Sequence, residues 1–405
     1  MIFKISYLCK FLMMMFLICL FNFSVLAQSK KNSTGPERID MSPFEDSTHH
    51  WYDFFADEYV IQPLSDKPQY KETEIIKIAD NMLLFQRDNG GWPKNYDMRV
   101  ILTEGQKKKL QGVKSVLSTT FDNGTTYTQV NYLAQAYTLT HQKRFKKGCL
   151  KGIDFILSAQ YENGGWPQYY PFLPENAAYS THITFNDGAF VGIMNTLKLI
   201  LDGDPSFYFI DNVRREKVKD TFEKGLNCIL ETQVVEDGVL KVWCQQHDEV
   251  TLKPAWARTF EPPCLCSDES SPIVLLLMSI ENPDDKIIAA VQGAVKWLND
   301  SKILYIRCID DPTAPQYVSK YKIHNYDRRI VHDLNAPIIW SRYSELKTGR
   351  PIFCDRSSEI VYHMSDLGRE RRSGYSWYSY APQEVLDQYP AWLKKWSIEK
   401  NVIEK

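Results

Sequence analysis

One eight-residue sequence occurs twice in this chain, and its recurrence limits the possible folds more than any other feature. Residues 86–93 read QRDNGGWP and residues 160–167 read QYENGGWP, an interval of 74 positions (160 minus 86). A weaker third copy is marked by Gln233, Asp237-Gly238 and Trp243. Copies at a fixed interval of this size indicate repeated structural units that bury their apolar faces against their neighbours.

Each clear copy follows a segment with helical periodicity. In IIKIADNMLLFQ the apolar positions Ile75, Ile78 and Met82 recur at steps of three and four residues, which is typical of one buried helix face. The Gly-Gly pair is expected to end this helix, because glycine adopts the left-handed C-cap conformation without strain. For Trp92 and Trp166, core packing at the corner is the favoured interpretation, and stacking on a sugar face is the functional alternative.

A second short sequence also repeats. The sequence TFDNG, which contains Asp122 and Asn123, recurs 64 positions later (186 minus 122) as TFNDG, which contains Asn186 and Asp187. Each copy precedes a helical run, and Asp or Asn side chains are favoured caps of a helix N-terminus. One unit is therefore interpreted as a helix, a Gly-Trp turn, a loop and a capped helix.

These units predict an all-α protein. Two helices per unit cannot bury their apolar faces alone, so we expect the hairpins to close into an α/α toroid. Residues 271–280 are predicted to form a further inner helix and residues 287–298 a further outer helix. After Asn299 the sequence changes to short apolar stretches with many aromatics and arginines. This change predicts irregular loops and short strands over one mouth of the ring.

The N-terminus has the features of a targeting signal. Lys4 and Lys10 precede an apolar run at 11–26, and a plausible cleavage point follows at Gln28. A retained membrane anchor is the alternative, although the run is short for a bilayer span. We expect export to the periplasm or to the extracellular space. The predicted organisation is a signal peptide at 1–27, a polar N-terminal extension or linker at 28–70, an α/α toroid domain at 71–385 and a C-terminal tail at 386–405.

Composition and cysteine content exclude several classes of protein. With 44% hydrophobic and 24% charged residues the chain has a globular composition, and its net charge of -2 gives no overall attraction for nucleic acid. The cysteines after residue 27 include no Cys-x-x-Cys pair, so a zinc cage is not expected. One or two disulfides could form after export, but most of these thiols are interpreted as small buried hydrophobes. We expect no nucleic-acid partner, no protein partner and, after signal cleavage, no membrane partner.

Two aspartates, Asp122 and Asp187, lie in the repeated TFDNG and TFNDG sequences. Helix capping alone would explain an aspartate at either position. Two carboxylates at the same end of a ring could instead hold a hard divalent cation, because Ca²⁺ takes oxygen ligands from carboxylates, carbonyls and water. An acidic substrate would then complete the shell of the bound cation. The sequence leaves both interpretations open.

Three arginines in the C-terminal third, Arg328, Arg342 and Arg356, are spaced 14 residues apart. A single arginine is most often a solvated surface residue, but the apolar flanks of this set predict partial burial. A planar guanidinium suits bidentate binding of carboxylates, so several arginines in one cleft imply an acidic ligand. The neighbouring arginine run at 369–372 is interpreted as structural pairing.

Several long motifs, in a consistent order, resemble those of the family 10 pectate lyases (polysaccharide lyase family 10). They extend from about residue 72 to 380 and include QRDNGGWPKNYD (86–97), TTFDNGTTYTQVNYLAQAY (119–137), QYENGGWPQYYP (160–171), ITFNDGAFVGIMNTL (183–197), PAWARTFEPP (254–263), APIIWSRYSELKTGRPIFCDR (336–356) and GRERRSGYSWY (368–378). The resemblance implies an α/α toroid that cleaves polygalacturonate by β-elimination. It also implies Ca²⁺ as a cofactor and an acidic polysaccharide as the partner.

The same resemblance implies roles for five residues. Arg342 in WSRY would take the proton from C5 of the uronate, and Arg328 in YDRR and Arg356 in CDRS would bind substrate carboxylates. Asp122 in FDNG and Asp187 in FNDG would form the calcium and substrate site. Asp122 would thus belong to the catalytic group as well as to the metal site.

Arginine is an unusual base, because its guanidinium titrates far above neutral pH. Neighbouring cations disfavour the protonated form, so the clustering of Arg342 with Arg328 and Arg356 is expected to lower the pKa of Arg342. Activity is then expected to rise into the alkaline range. The chain departs from the family pattern where Ser357-Ser358 follows Arg356 in place of an acidic residue and glycine.

Three other functions are compatible with parts of the sequence. The pattern Gln-x-x-x-Gly-x-Trp, present at 86–92 and 160–166, also occurs in terpenoid cyclases built on α/α toroids, although the chain has no Asp-x-Asp-Asp stretch. A glycoside hydrolase would need a carboxylate pair, which Asp122 and Asp187 could supply. A non-catalytic uronate-binding protein would keep the ring without the base, which the presence of Arg342 disfavours.

Overall fold

Helical hairpins follow one another along the chain, as the repeats predict. The computed structural model describes residues 37–48, 68–320 and 323–404. The predicted signal peptide and most of the predicted N-terminal extension lie outside these residues. The α-helices with both ends described are α1 (Ile75–Phe85), α2 (Glu104–Gly112), α3 (Tyr127–Thr140), α4 (Lys143–Ser158), α5 (Ala189–Leu201), α6 (Asn212–Thr232), α7 (Ser267–Met278), α8 (Asp285–Asp300), α9 (Arg369–Gly374) and α10 (Ala381–Trp396).

The long helices form two rows, one inside the other. The outer row contains α1, α4, α6 and α8, the inner row contains α3, α5, α7 and α10, and successive members of each row are in contact. The two helices of each hairpin also pack together, α3 on α4, α5 on α6 and α7 on α8. This arrangement is the predicted α/α toroid. Helices α7 and α8 confirm the helices expected at 271–280 and 287–298.

A fully buried tryptophan stands at the corner of each of four hairpins, and its indole N–H donates to a carbonyl of an outer helix. The pairs are Trp92 with Met82 (2.8 Å), Trp166 with Ile156 (3.0 Å), Trp243 with Ile229 (2.7 Å) and Trp340 with Leu298 (2.7 Å). The interpretation of Trp92 and Trp166 as core residues is therefore confirmed. Trp340 marks a fourth corner, which the sequence does not reveal because no Gly-Gly pair precedes it.

The glutamine that opens each copy of the repeat joins neighbouring outer helices. Its Nε2 donates to one carbonyl near its own turn and to another on the next outer helix. The partners on the next helix are Gly148 for Gln86, Thr221 for Gln160 and Ala290 for Gln233, each at 2.9 Å. Because buried polar groups need partners, these amides compensate their own burial while they fix the spacing of the outer row.

Gly90 and Gly164 are required for close packing between hairpins. Helix α1 ends at Phe85, and its C-cap Gln86 has φ -57°, so the predicted glycine C-cap is wrong. Gly90 (φ 97°) and Gly164 (φ 89°) have positive φ, and a Cβ atom would lie 2.3 Å or 2.1 Å from a carbonyl oxygen of the next outer helix. Glycine is therefore needed at both positions for backbone conformation and for space.

Short antiparallel strand pairs connect the loops, and most of these pairs lie in the C-terminal third of the chain. The longest pair joins β6 (Ile306–Asp311) to β9 (Asp327–His332), with Ile306 opposite His332. The other strands have two residues each and pair as β1 (Ile183–Thr184) with β4 (Gln246–His247), β2 (Val235–Glu236) with β3 (Val239–Leu240), β5 (Leu265–Cys266) with β11 (Tyr343–Ser344), β7 (Tyr317–Val318) with β8 (Ile323–His324), β10 (Trp340–Ser341) with β14 (Tyr378–Ser379), and β12 (Phe353–Cys354) with β13 (Ile360–Val361). The expectation of loops and short strands after Asn299 is confirmed.

The C-terminal residues extend the toroid, where the sequence predicts a tail. Helix α10 runs from Ala381 to Trp396 and packs against α7 and α8. Its residues Val385, Tyr389 and Trp392 are buried in the main core. The predicted boundary at residue 385 therefore falls inside a helix. Pro390 within the helix hides it from sequence reading, because proline normally interrupts helices.

The part of the chain that the structure describes shows neither a membrane-spanning helix nor a disulfide. No helix there is long and apolar enough to cross a bilayer. The described cysteines are free thiols, and all except Cys308 are buried. They occupy the positions of small hydrophobes, as expected.

The close contact at Gly164 can be tested by substitution. Gly164→Ala is expected to lower the free energy of unfolding by roughly 3 kcal/mol or more, because the new Cβ would meet the Lys224 carbonyl oxygen. Gly203→Ala is the matched control, since Gly203 also has positive φ (78°) but open space around a Cβ. Gly203→Ala should lower the free energy of unfolding by about 1 kcal/mol, which is the conformational penalty of a positive φ alone. Urea denaturation measures both, and equal losses would contradict the packing role.

Candidate functional site

Backbone hydrogen bonds place three turns in equivalent positions at the N-terminal ends of α3, α5 and α7. In each turn, one residue donates its N–H to the carbonyl of the corner tryptophan in its own hairpin. The next residue donates to the carbonyl two positions after the corner tryptophan of the following hairpin. The first donors are Thr120, Thr184 and Cys266, the second donors are Phe121, Phe185 and Ser267, and the distances are 2.8–3.1 Å.

The two residues after these donors carry acidic groups. They are Asp122-Asn123 in the first turn, Asn186-Asp187 in the second and Asp268-Glu269 in the third. We call Asp122, Asp187, Asp268 and Glu269 the carboxylate cluster. The first two turns pack against each other, and the second turn also packs against α7. The structure therefore brings together the two predicted aspartates and adds two acidic residues that the sequence analysis missed.

Neither Asp122 nor Asp187 caps an inner helix. Helix α3 begins after Thr126, whose backbone N–H donates to Oε1 of Gln129 at 2.5 Å. Helix α5 begins after Gly188, and no side chain caps it. The capping interpretation is therefore wrong for both aspartates, and their carboxylates are available for another role.

Asp122 is buried and ion-paired. Its Oδ2 accepts a hydrogen bond from Nζ of Lys94, and the side chain of Gln168 also donates to the carboxylate. Burial would raise the pKa of Asp122, but Lys94 and Gln168 keep it below its ordinary value. Its Oδ1 accepts no hydrogen bond within the described residues. Lys94 and Gln168 each follow a Gly-Gly-Trp-Pro sequence directly, so one repeat position supplies both partners.

Asp187 and Glu269 are held close to other negative charges. The Asp187 carboxylate is open to solvent, yet its enclosure by the cleft walls and the charge of Asp122 raise its pKa. Burial, reinforced by Asp268 and Asp187, raises the pKa of Glu269 to about 8 against the opposing effect of Arg342. The backbone N–H of Asp187 donates to the Glu269 carboxylate, which links the second turn to the third.

Arg342 is buried beside the third turn. Its Nη2 donates to Oε1 of Glu269 at 2.6 Å, and its Nη1 lies 3.6 Å from a carboxylate oxygen of Asp268. The guanidinium lies over the ring of Tyr375, 4.9 Å from the centroid. Its Nε is buried and has no partner within the described residues. Arg342 lies two positions after the corner residue Trp340 and thus corresponds to Lys94 and Gln168 in the earlier hairpins.

The electrostatic environment of Arg342 differs from the expectation. Burial alone would lower its pKa, but the phenols of Tyr375 and Tyr343 and the carboxylates of Glu269 and Asp268 hold the pKa of Arg342 well above its ordinary value. The predicted lowering by neighbouring arginines is therefore wrong for the resting protein. Its nearest charged neighbours are acidic, so Arg342 is a cation in this state.

Arg258 is a further cation of the site to which the sequence analysis gave no role. Its Nε donates to Oε2 of Glu261 at 2.8 Å, and its guanidinium lies 5.7 Å from the centroid of the Tyr375 ring. The charge of Arg258 helps to lower the pKa of Asp122 and opposes the rise in the pKa of Asp187, so Arg258 faces the carboxylate cluster. The available signal was its place in PAWARTFEPP, one of the motifs of the family resemblance.

Arg356 lies beside this group, whereas Arg328 faces elsewhere. Arg356 makes a bidentate pair with Glu370 at 2.9 Å and 3.0 Å, and its guanidinium is 5.0 Å from the ring centroid of Phe260. Arg328 donates to Asp310 and to the Tyr375 carbonyl, both at 2.8 Å. The cavity beside Arg328, about 670 Å³ in volume, is lined by Asp327, His363, Arg372 and Tyr378 among others, and not by Asp122, Asp187 or Arg342.

In the arginine run at 369–372, Arg371 and Arg372 are engaged in structural pairing, as expected, whereas Nε of Arg369 lies 3.9 Å from a carboxylate oxygen of Asp327 and makes no hydrogen bond within the described residues. Arg371 donates to both carboxylate oxygens of Glu370, at 2.8 Å and 2.6 Å. Arg372 donates to both oxygens of Asp327, at 2.9 Å and 2.8 Å. These pairs fix the loops that support Tyr375.

The carboxylate cluster fits a hard divalent cation. Its four carboxylates face two cations, Lys94 and Arg342, because Arg258 is already matched by Glu261. The surplus negative charge, the unpartnered Oδ1 of Asp122 and the unpartnered Oδ1 of Asn186 are the features that Ca²⁺ binding would satisfy. Asp122 and Asp187 could therefore hold the cation, with Asn186 as a neighbouring oxygen donor.

A second group of possible metal ligands lies in another loop. The ligand atoms of His182, Asp248 and Glu249 lie within 4.8 Å of one another. Nδ1 of His182 is already 2.8 Å from Oε2 of Glu249, and the Asp248 carboxylate accepts from the N–H of Thr251. His182 and Glu249 thus pair with each other and Asp248 is engaged by Thr251, whereas Asp122 has an unpartnered carboxylate oxygen. We therefore favour the carboxylate cluster as the candidate for Ca²⁺.

Comparisons with known proteins agree with this fold. The family model for pectic acid lyase matches residues 86–386. A mutant of the family 10 polysaccharide lyase from Cellvibrio cellulosa, solved in complex with trigalacturonic acid, is 28% identical over 78% of this chain and 92% of that chain, with a TM-score of 0.68. A second structure of the family 10 polysaccharide lyase from Cellvibrio cellulosa is 27% identical over 79% and 91%, with a TM-score of 0.65. A search of curated proteins finds no match.

The raised pKa of Glu269 predicts a pH dependence of stability in the metal-free protein. A carboxyl whose folded pKa exceeds its unfolded value stabilises the fold at low pH, and this contribution is lost as the pH rises from about 4.5 to about 8. Glu269→Gln should therefore flatten the decline in the free energy of unfolding between these values. Urea denaturation with a chelator present measures it, and Asp202→Asn, at a solvent-exposed pair with Lys198, is the control. An unchanged slope in Glu269→Gln would contradict the raised pKa.

Proposed function

We propose that this chain cleaves α-1,4-linked polygalacturonate by calcium-assisted β-elimination. The chain belongs to the pectic acid lyase family and is a pectate lyase, and the proposal proceeds from that membership. The observation that carries the proposal is the meeting of the carboxylate cluster with Arg342 in one cleft. A terpenoid cyclase has no use for such a set of charges. A purely binding protein has no need for a buried guanidinium with an unpartnered N–H.

An acidic polysaccharide suits this cleft. The Cellvibrio cellulosa relative was solved with trigalacturonic acid, a short uronate chain. The N-terminal ends of α3, α5 and α7 lie at the cleft, where helix dipoles favour negative charge. Arg258 is exposed and lies over the same Tyr375 ring as Arg342, so its guanidinium can donate to a uronate carboxylate. Arg356 lies next to them and would bind a further sugar. Arg328 is retained as a carboxylate ligand of more distant sugars only.

The carboxylate cluster would hold Ca²⁺ through Asp122 and Asp187. When bound, Ca²⁺ would neutralise the uronate carboxylate and offset the negative charge that keeps Arg342 protonated. Lys94 keeps Asp122 ionised, since the pKa of Asp122 is held low. Asp122 is therefore ready to act as a ligand at neutral pH without first losing a proton.

Arg342 is proposed to accept the C5 proton of the uronate. The C5–H bond breaks and its electron pair forms the C4–C5 double bond. The C4–O bond to the leaving sugar breaks, and the leaving oxygen keeps the electron pair of that bond and takes up a proton from solvent. The burial of Arg342 and its contact with Tyr375 hold the guanidinium in one orientation. This orientation lowers the entropic cost of reaching a reactive geometry. Because the resting environment raises the pKa of Arg342, the proton-accepting form becomes more abundant as the pH rises. We therefore expect activity to increase into the alkaline range.

Export follows from the same proposal. Polygalacturonate is a polymer too large to enter a cell unaided, so the enzyme must meet it outside the cytoplasm. The predicted signal peptide at 1–27 would bring it to the periplasm or to the extracellular space.

The role of Arg342 is tested by substitution. Arg342→Ala is expected to lower kcat on polygalacturonate by about 10³-fold, because it removes the proton acceptor. The readout is the ultraviolet absorbance of the C4–C5 unsaturated product, recorded from acidic to alkaline pH. Arg307→Ala is the control, since Arg307 in β6 pairs with Asp333 and contacts none of the carboxylate cluster. New reducing ends without absorbance would indicate hydrolysis, and a wild-type optimum below about pH 6 would exclude Arg342 as the base.

The metal site is tested separately. Chelation should abolish activity and added Ca²⁺ should restore it, since the cation neutralises the substrate carboxylate. Asp187→Asn should weaken Ca²⁺ binding in calorimetry by about tenfold or more, because it removes a charged ligand. Glu249→Gln alters the second ligand group and is the matched control. If Glu249→Gln weakened binding and Asp187→Asn did not, the assignment to the carboxylate cluster would be wrong.

A further inference from the structure

The outer helix α4 has a basic face that the next outer helix lacks. Its basic residues outnumber its acidic residues, whereas α6 carries both signs in similar numbers. In α4 these are Lys143, Arg144, Lys146, Lys147 and Lys151 with Asp154, and in α6 they are Arg214, Arg215, Lys217, Lys219 and Lys224 with Glu216, Asp220, Glu223 and Glu231. Since both helices hold the same place in the repeat, the fold does not account for this difference in charge.

Four lysines of α4 line a groove. The groove has a volume of about 410 Å³ and is lined by Lys143, Lys146, Lys147, Lys151, Tyr137, Leu150 and Asp154. The acidic groups nearby are engaged with arginines, because Asp154 pairs with Arg214 and Asp80 pairs with Arg144. Within the described residues, the four lysines form no ion pair with a carboxylate. The groove therefore has an unbalanced positive charge.

An aromatic rim adjoins the lysines. The ring of Tyr208 stacks on that of Tyr137, with centroids 5.9 Å apart and an interplanar angle of 14°. Nζ of Lys146 lies 5.9 Å from the Tyr137 centroid and 5.5 Å from that of Phe209. Tyr208 is 56% exposed. An exposed ring held flat by a second ring offers a face on which a sugar can stack.

This groove lies away from the carboxylate cluster. Helix α3 begins at Tyr127, next to the first acidic turn, and Tyr137 lies ten residues further along (137 minus 127). At 1.5 Å per residue the two ends are separated by about 15 Å along the helix. Lys143 follows the turn at the far end of α3. The groove is therefore distinct from the cleft that contains Arg342.

We propose that this groove is a second binding site for the acidic polysaccharide, in which the α4 lysines bind successive uronate carboxylates and Tyr208 stacks on one sugar ring. The inference rests on the proposed function, because the ligand is the polymer substrate proposed above. Charge complementarity selects a polyanion, and the aromatic rim selects a sugar polymer. A strand held here stays close to the cleft, which raises the effective concentration of further segments of the same strand.

The test separates polymer binding from catalysis. The variant Lys143→Gln/Lys146→Gln/Lys147→Gln/Lys151→Gln is compared with a control of equal charge change, Lys217→Gln/Lys219→Gln/Lys224→Gln/Lys286→Gln. Binding is measured as retardation in gels that contain polygalacturonate, and initial rates are measured on polymer and on trigalacturonate. The α4 variant should bind polymer at least about tenfold more weakly than the wild type. Its rate on trigalacturonate should stay within about twofold of the wild-type rate. Tyr208→Ala should weaken polymer binding by about threefold.

The results distinguish binding in the α4 groove from a nonspecific effect of the net charge of the protein. Equal losses in the α4 variant and the control would mean that only net charge matters and would overturn the proposal. Full binding by Tyr208→Ala would overturn the sugar-stacking element, and so would equal retardation of the wild type by dextran sulfate. If the wild type cleaves neither substrate, the proposed function fails on its own. The retardation comparison still reports on the groove in that case, because it needs no turnover.

Discussion

The pair of backbone hydrogen bonds at each turn is the constraint on which the active cleft depends. One bond ties the turn to the tryptophan corner of its own hairpin, and the next ties it to the corner of the following hairpin. Both bonds pair buried backbone N–H and C=O groups, which would cost free energy if they were left without a partner. Together they fix the register between successive hairpins. The residues that directly follow the bonded pair are thereby directed to the same end of the toroid, whatever their side chains.

The electrostatics of the cleft follow from this register. The three turns bring four carboxylates together, whereas two cations, Lys94 and Arg342, face them. Burial, together with this surplus of negative charge, raises the pKa of Glu269 and Asp187, and the raised pKa values lower the stability of the fold as the pH rises toward neutral. The Ca²⁺ proposed for this cluster would relieve this repulsion, so the same charge pattern would oppose folding without the cation and favour its binding.

The features that recur in the sequence could be predicted from it, and the features at degenerate or unrepeated positions could not. The toroid, the corner tryptophans and the positions of Asp122 and Asp187 followed from recurrence. Asp268 and Glu269 did not, because the third turn reads CSDES and lacks the phenylalanine and glycine of the earlier copies. The pKa of Arg342 was assigned the wrong direction, since sequence spacing showed the other arginines and not the acidic neighbours that packing supplies. Helix α10 was missed because its proline suppressed the helical pattern.

The position two residues after the corner tryptophan shows how a symmetric ring can carry an asymmetric chemistry. It is occupied by Lys94, Gln168, Gln245 and Arg342 in successive hairpins. For the last three, the fold uses backbone groups: each carbonyl oxygen accepts a hydrogen bond from the preceding turn, and two of the three N–H groups donate to other carbonyl oxygens. These contacts place no demand on the side chain. A cation, an amide or a guanidinium can be exchanged at such a position without altering the path of the chain. Substitution at a few equivalent positions can therefore alter the chemistry of the cleft, while the backbone hydrogen bonds that join successive hairpins stay the same.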